Sequence, residues 1–155
     1  MTIRTGDPAV GFSLPAKPGE DVDVGQYIGE DVVVLVFFPL AFSSVCAAEM
    51  RTLGDSWDRW SSLGARVFGI SVDSPFVTER FRQAENVPFP LLSDFNREVS
   101  SLYGVLYEDF YGLKGVSKRS VFVIDRTGTV VYAWITDDAD VEPGYEEVEA
   151  AVRSA

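Results

Sequence analysis

The chain has 155 residues, 46% hydrophobic and 13% aromatic, so it carries enough apolar side chain for a core and lacks the composition of a disordered polymer. Its net charge of −11 and pI near 4.3 argue against nucleic acid and against an anionic membrane surface as partners, since both need Lys and Arg. It contains no histidine and one cysteine, Cys46, which excludes Ser-His-Asp triads, Cys-His dyads, His metal sites, zinc ribbons, iron–sulfur clusters and internal disulfides.

Length suits one domain over 1–155, and no repeat or low-complexity linker divides it. Residues 12–24 read as a hairpin about Pro18-Gly19, with Val22 and Val24 alternating against acids. Val32 to Phe38 is a continuous apolar run, as a strand covered on both faces requires, and Pro39 stops it. From Ser44 to Leu63 the apolar spacing of Cys46, Met50, Leu53, Trp57 and Trp60 predicts one helix face, ended by Gly64. A strand over 66–72, a helix opened by Pro75 and running to about Asn86, a short strand at 89–92 and a helix over 97–103 follow. Ser120 to Ile124 and Thr129 to Ile135 predict a second hairpin about the turn at 125–128, and a last helix covers 144–153.

Strands alternating with helices give the α/β class, and the closing hairpin makes the sheet mixed. The order fits a thioredoxin-like fold, a central mixed β-sheet flanked by helices on both faces. No Gly-rich dinucleotide turn follows the first long strand. No apolar run reaches the ~18–20 residues of a membrane span, and residues 1–8 lack an apolar signal core, so a cytoplasmic chain is expected. Acids become dense at Asp137, Asp138, Asp140, Glu142, Glu146, Glu147 and Glu149, and read as solvated surface. Lysine occurs only at 17, 114 and 118, and a surface of this kind also suits a high-salt habitat.

Cys46 falls where a strand–loop–helix unit begins its helix. The first N–H groups of a helix have no internal partner and, with the aligned peptide dipoles, favour an anion there. The thiolate is the nucleophilic form of cysteine, so position alone makes Cys46 a candidate nucleophile. A lone cysteine is equally at home as a small core residue, and position leaves both readings open.

Pro39-x-x-x-Ser43-x-x-Cys46 resembles the peroxiredoxin signature Pro-x-x-x-Thr/Ser-x-x-Cys, and Arg119, just before the strand at 120–124, stands where that family carries its active-site arginine. Segments 7–14, 69–73 and 89–94 resemble further family segments in order, so the likeness runs from about residue 3 to 135. The stretch 37–42 followed by Cys46-x-x-Glu49 is most similar to AhpE-type one-Cys peroxiredoxins; the neighbouring PrxQ group often has a second cysteine where this chain has Arg51. Two departures stand out: Ser43 replaces the commoner Thr, and Ser120-Val121 follows the arginine.

The resemblance implies a thiol-dependent peroxidase needing no metal or organic cofactor. Cys46 would attack the peroxide and become a sulfenic acid. Ser43 would hydrogen-bond thiolate and peroxide, Arg119 would stabilise charge on sulfur and oxygen, and Pro39 would shield the loop. Taken singly, Arg119 also suits a surface salt bridge and Ser43 a helix cap. Glu49, one turn after Cys46, is expected either to position the loop or bind the reductant, or to be a first-turn acid favoured by the helix dipole. Phe42 is expected to line a hydrophobic pocket mouth that favours organic hydroperoxides. With one cysteine, the sulfenic acid must be reduced by an external thiol: a low-molecular-weight thiol, a glutaredoxin-like protein or thioredoxin. A homodimer or higher homo-oligomer is expected. The readings of other classes are a peroxide-sensing redox protein, with Cys46 oxidised stoichiometrically, and a structural domain with an inert cysteine.

Overall fold

A hairpin opens the chain in the computed structural model, which describes residues 2–155: β1 (Ser13–Lys17) pairs antiparallel with β2 (Glu20–Asp23), and Gly19 supplies the positive φ of 77° that the turn demands. The main sheet is built on β3 (Val32–Phe37), every residue of which is buried. It lies between β4 (Ala65–Ser71), parallel to it, and β6 (Ser120–Ile124), antiparallel to it. Two edge strands, β5 (Leu91–Ser93) and β7 (Val130–Ile135), complete the five-stranded order β5-β4-β3-β6-β7. The sheet is mixed, as the closing hairpin implies.

Alternation along β3 splits the core in two. Val32, Val34 and Val36 face a cluster containing Met50, Leu53 and Trp60 of α1 (Ser44–Ser62), Phe81 of α2 (Pro75–Ala84) and Val148 and Val152 of α4 (Tyr145–Ser154). Val33, Leu35 and Phe37 face Leu14 of β1 and Val99 and Tyr103 of α3 (Glu98–Tyr103). Helices therefore cover both faces, which is the thioredoxin-like arrangement.

Element boundaries differ from the sequence expectation where backbone chemistry intervenes. The fifth strand begins at Leu91, because Pro90 has no N–H to give the ladder; its carbonyl accepts from Gly69 instead. α2 ends at Ala84 rather than Asn86, which takes a left-handed φ of 52°. Arg97 also lies in the left-handed region, so α3 starts one residue later. Its cap comes from further back: the buried Asp94 carboxylate accepts from the amides of Val99 at 3.2 Å and Ser100 at 2.7 Å.

Candidate active site

Three elements converge on Cys46. β3 delivers the chain to Pro39, which is buried and ends the strand, and the loop to Ser43 turns it into α1. With Ser43 at the N-cap, Cys46 lies in the first turn of α1, fully buried. The third element is the start of β6. Its register pairs Ser120 with Phe37, so Arg119 is set beside the end of β3 and reaches across to the helix. β7 continues the arrangement: Thr136 donates its amide to the Arg119 carbonyl at 3.1 Å, leading into the loop that holds Ala139.

Arg119 is 1% exposed, and each of its three guanidinium nitrogens donates a hydrogen bond. Nη2 donates to Cys46 Sγ at 3.4 Å and to the Ala139 carbonyl at 2.8 Å, Nε donates to that carbonyl at 3.0 Å, and Nη1 donates to Glu49 Oε1 at 2.8 Å. The planar fork is thus held in one orientation against the sulfur. Burial opposes the Arg119 charge, but Glu49 and Cys46 outweigh it and raise its pKa above the ordinary arginine value.

Glu49 is neither an exposed first-turn acid nor a surface available to a partner: it is wholly buried and paired with Arg119. Its second oxygen, Oε2, has no hydrogen-bond partner among the described residues. Burial drives its pKa from 4.5 up to about 7, against the pull of Arg119, with Glu142 adding to the rise. Glu49 therefore sits near its own titration midpoint at neutral pH, while Arg119 keeps its charge.

Ser43 Oγ is exposed and donates to the Leu40 carbonyl at 3.1 Å; it bonds neither the sulfur nor a helix amide. Phe42 departs further from the expected role. It has a positive φ of 68°, is 54% exposed, and packs its ring on Phe81 at 5.0 Å.

A hollow of about 230 Å³ lies over the site, with Pro39, Leu40 and Ser43 on one side and Arg119 at its base. Its far wall is Phe110, Tyr111, Ala139 and Asp140, while Phe42 takes no part in the lining. The aromatic wall thus comes from a segment that sequence reasoning did not single out. A clue was present in Phe110-Tyr111-Gly112, an aromatic pair at a turn residue. The Ala139 carbonyl carries no side-chain signal at all. No group of three or more metal-ligating side chains occurs among the described residues, and no helix there is long and apolar enough to cross a membrane.

This arrangement can hold a sulfur anion beside a fixed cation at a helix N-terminus, open to a small molecule on one side. Comparison with known proteins places the chain in a family. Residues 5–133 match the AhpC/TSA family. A Mycobacterium tuberculosis protein named as a peroxiredoxin is 38% identical over 134 residues, spanning 84% of this chain and 84% of that relative. The crystal structure of peroxidoxin BcpB from Mycobacterium tuberculosis superposes with a TM-score of 0.85 at 27% identity, covering 98% of this chain and 97% of that one. A peroxiredoxin-like protein from Aquifex aeolicus gives 0.89 at 28% identity, over 99% and 88%.

Proposed function

The chain belongs to the AhpC/TSA family of peroxiredoxins, thiol-dependent peroxidases, and from that premise we propose that Cys46 is the atom that reduces the peroxide. The observation that carries the reading is the 3.4 Å hydrogen bond from Arg119 to a buried thiol at a helix N-terminus, beneath an open hollow. The Cys46 thiolate attacks one peroxide oxygen. An S–O bond forms, the O–O bond breaks, and the departing oxygen takes a proton to leave as water or an alcohol. Charge builds on both oxygens as the bond stretches, and Arg119, already oriented by Ala139 and Glu49, stabilises it without reorganisation. Pro39, buried and without an N–H, keeps the near wall closed. Ser43 lines the hollow, and rotation of its hydroxyl away from Leu40 gives an incoming peroxide a further hydrogen-bond partner.

Cys46 is the only cysteine of these 155 residues, so the sulfenic acid is recycled by an external thiol, as in one-Cys enzymes of the AhpE type. The substrates proposed are hydrogen peroxide and organic hydroperoxides, acting in a cytoplasmic, homo-oligomeric protein of one domain. Intact mass after one equivalent of peroxide tests the central step. Rapid gain of one oxygen, trapped by dimedone on Cys46, is the expected result; an unchanged mass over minutes refutes it.

A further inference from the structure

Beside the hollow over Cys46 lies a larger one of about 580 Å³. The two share Phe110, Tyr111, Ala139 and Asp140, so a molecule seated in the second stands at the entrance to the first. The smaller hollow, about 230 Å³, falls below the ~300–1,000 Å³ of pockets that take drug-sized ligands, and it is lined by Arg119, whose guanidinium bonds the buried Cys46 sulfur. A hollow of that size has room for a small thiol and not for the surface of a folded partner.

The chemistry of the larger hollow is specific in sign. Tyr107, Phe110 and Tyr111 form a continuous aromatic cluster, with ring centroids 5.0 and 4.8 Å apart. Around it stand Asp109, Asp137, Asp138 and Asp140, all exposed. Lys118 answers one of them, Asp137, at 2.7 Å, and its ammonium already lies 5.9 Å over the Tyr107 ring. Asp109, Asp138 and Asp140 have no ion pair among the described residues. Aromatic faces bordered by unpaired carboxylates recognise an ammonium group and repel a carboxylate.

We propose that this second hollow is the subsite for the reducing thiol, and that it takes a small thiol bearing an ammonium group in preference to one bearing a carboxylate. The inference rests on Cys46 being the atom that peroxide oxidises. Cys46–S–OH and R–SH then give Cys46–S–S–R and water, the S–S bond forming as the S–O bond breaks. A second thiolate attacks the outer sulfur, R–S–S–R leaves, and Cys46 returns as the thiolate.

The test starts from peroxide-oxidised protein and measures its reduction by cysteamine, 2-mercaptoethanol and 3-mercaptopropionate. Each rate is normalised to the same thiol's rate with a small free disulfide, which removes intrinsic nucleophilicity. At low salt, normalised cysteamine should exceed normalised mercaptopropionate by on the order of tenfold. That ratio should collapse in molar KCl, and also in the Asp109→Asn, Asp138→Asn, Asp140→Asn triple variant. A ratio near one, or one unmoved by both salt and substitution, overturns the inference alone, since dimedone trapping in the same preparation shows that Cys46 is oxidised. Failure to trap Cys46 overturns the peroxidase reading and the inference with it.

Discussion

Replacing Glu49 with Gln should remove a pH dependence from the stability of the protein. Glu49 ionises at about 7 in the folded state against 4.5 for an ordinary glutamate, because it is buried with one oxygen unpartnered. Its folded pKa is raised, so the folded state holds the proton more tightly than the unfolded chain. Below pH 4.5 both states are protonated and nothing is lost. As pH rises towards 7 the unfolded chain ionises first, and stability falls. At about 1.4 kcal/mol per pH unit the loss approaches ~3 kcal/mol by pH 7 and levels off above it. The carboxylates with lowered pKa, Glu79, Asp125 and Glu149, act in the opposite sense: the stability they confer is present above their unfolded values and lost on acidification. No histidine titrates in the intervening window. Gln is close in shape to the protonated acid and cannot ionise. Urea unfolding of both proteins from pH 4.5 to 8 should therefore show wild type losing about 3 kcal/mol relative to Glu49→Gln. A difference that stays flat across that range refutes the reasoning.

Arg119→Lys keeps the charge but loses the fork that spans Cys46, Glu49 and Ala139, and the rate of Cys46 oxidation should fall by roughly a hundredfold in stopped-flow fluorescence; a near-normal rate removes Arg119 from its role. Gly69→Ala places a Cβ against the buried Leu91 side chain between β4 and β5, and should cost about 1–3 kcal/mol by denaturant unfolding. Asp94→Ala strips two amides of α3 of their acceptor and should cost about 0.5–2 kcal/mol, with faster hydrogen exchange at Val99 and Ser100. If the acidic surface is an adaptation to salt, unfolding stability should rise between low and molar KCl; a flat response ends that reading.

How much of this was readable in advance depends on where each signal resides. β3 and α1 carry their burial in their own residues: seven consecutive apolar side chains from Val32 to Phe38, and one stripe from Cys46 to Trp60. The convergence of Cys46 and Arg119 was legible only through the resemblance to the peroxiredoxin signature and its distant arginine; no spacing in the chain by itself joins the two. Glu49 was visible as a residue on the same helix face as Cys46, but its burial and its ion pair depend on Arg119, which the fold brings to it from 70 residues away. The Ala139 carbonyl has no side-chain signature, and the wall at Phe110 and Tyr111 depends on a turn in which Tyr111 has a φ of 52°, a conformation that composition does not announce. Phe42 was misplaced for the same reason: its left-handed backbone turns the ring onto Phe81, away from the hollow.

The Cys46 sulfur also belongs to the same apolar cluster as Met50, Leu53 and Val121. A thiol is a tolerable member of such company, being small and weakly polar. A sulfinate is bulkier: Arg119 and the helix N-terminus can meet its charge, but its two oxygens need room in a space with no exposure to water. Over-oxidation of Cys46 should therefore crowd the core at the first turn of α1, so that the over-oxidised protein unfolds at lower urea and is cleaved by protease faster than the reduced one.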